Sequence, residues 1–140
     1  MKYIEKLNKV KEEKEKYPTR PELIVELLDA SNKFHILHLI VTGTSAYAQH
    51  KALNELYDKL RELTDQVAES FQGATGEIPK YKFVYAPELN SVDQALVYIK
   101  KLRDKIHEVQ ETVEQSEIVN DLDAIKTALN SAYYKLKFLG

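Results

Sequence analysis

The sequence predicts an all-α fold, a four-helix bundle, on three observations. Four stretches repeat apolar residues at spacings of three and four; most open on a capping signal or close on a breaker; and no stretch carries a strand signal. With 140 residues, 44% hydrophobic and 30% charged, the chain is the size of one globular domain with a real core.

Residues 1 to 18 read as a basic N-terminal arm and 19 to 140 as the bundle. Residues 1 to 20 carry seven Lys or Arg against four Glu, so a mildly basic arm precedes an acidic body. Pro18 stops the arm, and Thr19 with Glu22 forms a capping box with Pro21 in the first turn, which predicts a helix from about 20 to 41. Its end is almost continuously apolar (Ile36, Leu37, Leu39, Ile40, Val41), which predicts burial on several sides. The turn Thr42-Gly43-Thr44-Ser45 breaks it.

A second helix, from about 46 to 72, has the stripe Leu53, Leu56, Leu60, Leu63, Val67 and Phe71, with Gly73 and Gly76 as its stop. The connection to about residue 90 holds Pro79 and Pro87 and the aromatics Tyr81, Phe83 and Tyr85; its length predicts a short ordered piece or a span along the bundle. Ser91 and Gln94 cap a third helix with the stripe Val92, Ala95, Ile99, Leu102, Ile106, Val109 and Val113. Ser116 is read as the cap of a fourth, with Ile118, Leu122, Ile125, Leu129, Ala132, Leu136 and Leu139.

No apolar run approaches the roughly 20 residues that cross a bilayer, and the first residues lack a secretory apolar core, so a cytoplasmic protein with no membrane partner is expected. The absence of cysteine removes disulfides and thiolate metal sites, leaving His, Asp and Glu as metal ligands.

Chemistry is suggested by residues 34 to 69, which hold His35, His38, His50, Asp65 and Glu69. If the first two helices fold back antiparallel, His38 and His50 come roughly level and could share a metal. Asp65 and Glu69 sit one turn apart and could reach one ion. His50 and Asp65, however, are 15 residues apart on one helix, about 22 Å at 1.5 Å per residue. One subunit does not bring all four together. Two copies of the helix, antiparallel across a two-fold axis, would set His50 of one near Asp65 of the other. With His50 at zero on a helical wheel, Asp65 falls near about +60°, Glu69 near about +100° and the leucine stripe near about −90°. Asn54, Tyr57 and Arg61 lie on that second face.

At these residues the sequence resembles the Dps family, the DNA-binding proteins from starved cells, also called mini-ferritins. His38, Gly43, His50, Asp65 and Glu69 fit the family's spacings, and Glu55-Leu56-Tyr57-Asp58 and Ala68-Glu69 look like its second helix. The resemblance covers about residues 33 to 73. It implies a ferritin-like bundle with a long connection between helices 2 and 3, assembled from two-fold dimers into a dodecamer. It also implies a ferroxidase that oxidises Fe(II), usually with hydrogen peroxide, and stores ferric iron against oxidative damage. His38 and His50 would ligate iron from one subunit, Asp65 and Glu69 from its mate, with His35 and Tyr57 as weaker neighbours of the site. The chain departs from the family at Leu39, where a Trp is usual, and at Ser70, where an Arg is usual.

Two other readings stand beside this one. The same residues would serve a non-catalytic helical assembly or scaffold protein. Lys2, Lys6, Lys9 and Lys11 of the arm would give nonspecific DNA contact, weakened by four interleaved glutamates.

Overall fold

Capping chemistry starts the first helix where the sequence places it. In the computed structural model, which describes residues 18–83 and 87–140, Thr19 Oγ1 accepts from Glu22 N at 3.2 Å and α1 runs Arg20–Ile40. It ends at Val41, whose N–H donates to Leu37 O at 3.1 Å, and the chain reverses through Gly43 at φ +104°, a conformation that favours glycine.

Helix α2 spans Ala46–Thr75 and passes straight through Gly73. One glycine costs a helix about 1 kcal/mol, less than the anchoring of buried Phe71 supplies two residues earlier. Gly76, at φ +71°, is the stop, its N–H bonded to Gln72 O at 2.9 Å. Helix α3 spans Val92–Gln110 and α4 spans Ser116–Phe138. Ser91 Oγ accepts from Gln94 N at 3.2 Å and Gln94 Oε1 accepts from Asn90 N at 2.8 Å, a reciprocal cap at the start of α3. Ser116 is not the cap of α4: Gln115 holds that position, without a side-chain bond, and Ser116 is the first helical residue.

The described residues therefore contain four helices and no strand, a four-helix bundle. Helix α1 packs against α2 and α3, and α4 against the same two, so α1 and α4 lie diagonally opposed. The ends fix the direction of each helix. Arg20 Nη2, at the start of α1, donates to Thr112 O just past α3, and Ser45 Oγ, before α2, donates to Gly140 O past α4. Asn90–Asp93 share a surface hollow with Ile40–Thr42, whereas Phe71 and Tyr81 share one with Arg20. The α2–α3 connection thus spans the bundle lengthwise, and α2 and α3 run parallel to each other and antiparallel to α1 and α4.

All four stripes turn inward. Leu23, Leu27, Phe34 and Leu37 meet Leu53, Leu56, Leu60, Ile99, Leu102, Ile106, Ile118, Leu122, Ile125 and Leu129 in one continuous core. Two sequence expectations change. Leu139 is exposed rather than packed, and the apolar end of α1 is not buried on several sides: Ile36, Leu39 and Ile40 are 57%, 68% and 48% exposed. Among the described residues, helix α1 packs against two helices, which cover its inner face and leave an outer row of Leu28, Ile36 and Leu39 exposed. No described helix is long and apolar enough to cross a membrane. Residues 1–17, with Lys2, Lys6, Lys9 and Lys11, lie outside the described residues, and so do the DNA contacts expected of them.

Candidate metal centre

The α1–α2 hairpin sets the register of the site. Two pairs equidistant in sequence from Thr44 meet across it: Ser31 Oγ donates to Tyr57 O at 2.9 Å, and His50 Nδ1 lies 3.0 Å from His38 O. A carbonyl only accepts, so His50 Nδ1 carries the hydrogen and Nε2 is left with its lone pair.

The imidazoles form a cluster. His38 and His50 stack with ring centroids 3.6 Å apart, His35 stacks on Tyr57 at 4.1 Å, and His38 stands edge-on to Tyr57 at 5.2 Å. The Tyr57 hydroxyl donates to Asn54 Oδ1, one turn before it on α2. His38 is 8% exposed and its Nδ1 is buried without a hydrogen-bond partner, whereas His50 is open to solvent. Burial first, then the neighbouring His50 and His35, push the His38 pKa down; the His35 backbone and Asp58 act the other way and are outweighed. The neutral form that burial favours at His38 is the form in which histidine binds metal ions.

Asp65 and Glu69 lie elsewhere. Both are solvent-exposed on the second half of α2, and the fold brings neither to the histidines of its own chain. Among the described residues, no group of three or more His, Asp or Glu is placed to hold an ion. His107 pairs with Glu111 at 3.1 Å on the α3 surface, away from the cluster.

Sequence reasoning missed Ser31 and Asp58. Ser31 was findable, since its distance from Thr44 equals that of Tyr57. It also missed a polar seam between α1 and α3. There Lys33 is buried 2.6 Å from Asp29 with its ammonium over the Tyr98 ring, and Lys105 meets Glu26 at 2.7 Å. Burial, with Glu26 and Asp29 nearby, pushes the Tyr98 phenol up.

Residues 41–136 match a family described only as a family of unknown function (DUF5856). The chain belongs to that family. No curated protein and no solved structure matches it. The resemblance to the Dps family is thereby corrected: the family found is this one, not Dps or another ferritin-like family. The resemblance rested on five positions of one helical hairpin, and His38 falls before the matched stretch. An antiparallel helix pair carrying leucines every three or four residues shares much of its spacing with any other such pair, because the helical period dictates it.

Proposed function

We propose that this member of the DUF5856 family binds iron at a site completed by two copies of the chain, and oxidises Fe(II) there. The observation that carries the reading is the His38–His50 pair: two stacked imidazoles, one with its Nε2 freed by the bond from Nδ1 to His38 O. Imidazole and carboxylate together suit iron, and Asp65 and Glu69 of a second, antiparallel α2 are the carboxylates in reach of that pair. The bare outer row of α1, Leu28, Ile36 and Leu39, supports a self-association face beside the site. The single long crossover supports the ferritin-like arrangement of helices.

Iron is the substrate. With hydrogen peroxide supplied as the oxidant, two Fe(II) ions would each give up one electron to one peroxide, whose O–O bond breaks to give two waters with the uptake of two protons. The residues hold the ions: His38 and His50 donate lone pairs, and the carboxylates offset the charge that rises on oxidation. His35 and Tyr57, stacked on each other, position His38 through edge-on contacts. The minimal unit is a two-fold dimer; the dodecamer expected from the resemblance to Dps rested on that resemblance and is not carried forward.

The competing reading is a non-catalytic helical assembly, favoured by the fact that the imidazoles and Tyr57 satisfy much of one another's packing. Fe(II) oxidation kinetics and iron stoichiometry separate the two, run on wild type and a His50→Ala, Asp65→Ala double variant, with light scattering as companion. The iron reading expects bound iron and oxidation well above buffer in wild type, lost in the variant. A wild type that binds no iron and oxidises it no faster than buffer leaves the assembly reading standing.

A further inference from the structure

On the opposite side of the bundle the outer faces of α3 and α4 concentrate positive charge around one ring. Lys100 and Arg103 from α3 and Lys137 from α4 each place a cationic head over Tyr133, at 5.2, 5.6 and 5.5 Å from its centroid. Like charges gather this way only at an electrostatic cost. Among the described residues none of the three has a carboxylate within salt-bridge distance, while Lys33, Lys105, Lys126 and Lys135 all do. Arg103 is held in place by Asn130 Oδ1, 2.5 Å from Nη1, and Lys137 Nζ lies 3.5 Å from the Tyr133 hydroxyl. The same cations, Lys100 first, hold the Tyr133 phenol below its ordinary value.

Apolar rings continue the patch. Tyr134 and Phe138, one turn apart on α4 with centroids 5.8 Å apart, are 54% and 65% exposed, and the Lys137 ammonium sits 5.5 Å over Phe138. The groove between α3 and α4 is less basic at its other end, where Asp104 and Asp123 line it and Asp123 accepts from Gln110 at 2.8 Å. Within a chain of net charge −2, the described residues therefore carry a compact basic surface here with two exposed rings beside it.

We propose that this face binds single-stranded nucleic acid, with Lys100, Arg103 and Lys137 on its phosphates and Tyr134 and Phe138 against its bases. Uncompensated cations supply sequence-independent attraction to a phosphate backbone, and exposed rings stack on unpaired bases, whose faces a duplex hides. A duplex would use the cations and leave the rings idle. This surface is separate from the histidine cluster and stands or falls independently of the iron reading.

The test is fluorescence anisotropy with a labelled 20-nucleotide oligothymidine and the matching duplex, on the full-length protein across a salt series. Three phosphate contacts predict a slope of log K against log salt of about −2 for the single strand. Serine at Lys100, Arg103 and Lys137 removes most of that slope and lowers affinity at least about tenfold, while Lys100→Arg with Lys137→Arg keeps both. Alanine at Tyr134 and Phe138 weakens the single strand roughly fivefold or more per stacked base and leaves the duplex unchanged. Circular dichroism confirms that each variant is folded. Absence of binding at low salt overturns the proposal. So does binding that survives loss of the three cations but disappears with serine at Lys2, Lys6, Lys9 and Lys11. Equal affinity for the duplex, with no effect of the alanines, overturns the single-strand assignment.

Discussion

His50 is tied to His38 twice, ring upon ring at 3.6 Å and by a bond from Nδ1 to the His38 carbonyl at 3.0 Å. The second tie fixes the tautomer. Neutral His50 is expected to carry its hydrogen on Nδ1, which long-range ¹⁵N–¹³C correlation spectra at pH 8 report directly. An Nε2–H pattern for His50 would break the assignment of Nε2 as the available ligand atom.

Thr64 and Leu60 are neighbours one turn apart on α2, both fully buried, and they predict opposite responses. The Thr64 hydroxyl has no hydrogen-bond partner, so an isosteric methyl removes an unsatisfied group. Thr64→Val is expected to raise stability by about 1 kcal/mol, whereas Leu60→Ala leaves a cavity and costs about 2–5 kcal/mol. Urea unfolding measures both. A destabilised Thr64→Val would mean that the hydroxyl has a partner in solution.

Glu55 on α2 and Lys135 on α4 join the two helices at 2.5 Å. The hydrogen bond from Lys135, aided by the charges of Lys135, Lys51 and Lys59, holds the Glu55 carboxyl below its ordinary value of 4.5 against the opposing effect of desolvation. A carboxylate depressed in the folded state adds stability that is present above the unfolded pKa and lost as pH falls through the folded one. Both side chains are more than a third exposed, so the contribution is less than about 1 kcal/mol. Lys135→Met is therefore expected to cost less than about 1 kcal/mol at pH 7, progressively less as the pH falls through the depressed Glu55 pKa, and to return the Glu55 carboxyl to its ordinary titration in a ¹³C NMR series.

The outer row of α1 predicts association. Replacing Ile36 and Leu39 with Lys is expected to lower the mass seen by light scattering to that of one chain, with helical content unchanged. In wild type, the melting temperature is expected to rise with protein concentration, because a partner that binds only the folded chain stabilises it. A wild type that stays monomeric throughout would remove the second copy from the proposed site.

Much of the bundle was legible because its signals are local. The stripes of α2, α3 and α4, the Thr19 and Ser91 caps and the turn at Gly43 each depend on residues a few positions apart. What could not be read depends on neighbours that sequence spacing does not count. Ile36, Leu39 and Ile40 read as buried because they are apolar, yet burial needs a surface opposite, and the described residues supply none there. Gly73 read as a stop because glycine is a weak helix former, but buried Phe71 before it and the Thr75 hydroxyl bonded back to Phe71 O carry α2 on to Gly76. At the site, the level placement of His38 and His50 was a matter of counting from the turn. Five spacings on a helical hairpin did not specify a family.

The lengthwise crossover divides the chain into two helical hairpins, α1–α2 and α3–α4, joined by one strap, with α4 packed more extensively on α2 than on α3. The halves meet chiefly through α2 and α4, and the strap is their only covalent tie. A cut between Glu77 and Lys80 would leave two complementary pieces whose apolar stripes still fit each other. By the same geometry, two chains at high concentration have a route to trade hairpins, each completing the other's core without altering a single core contact.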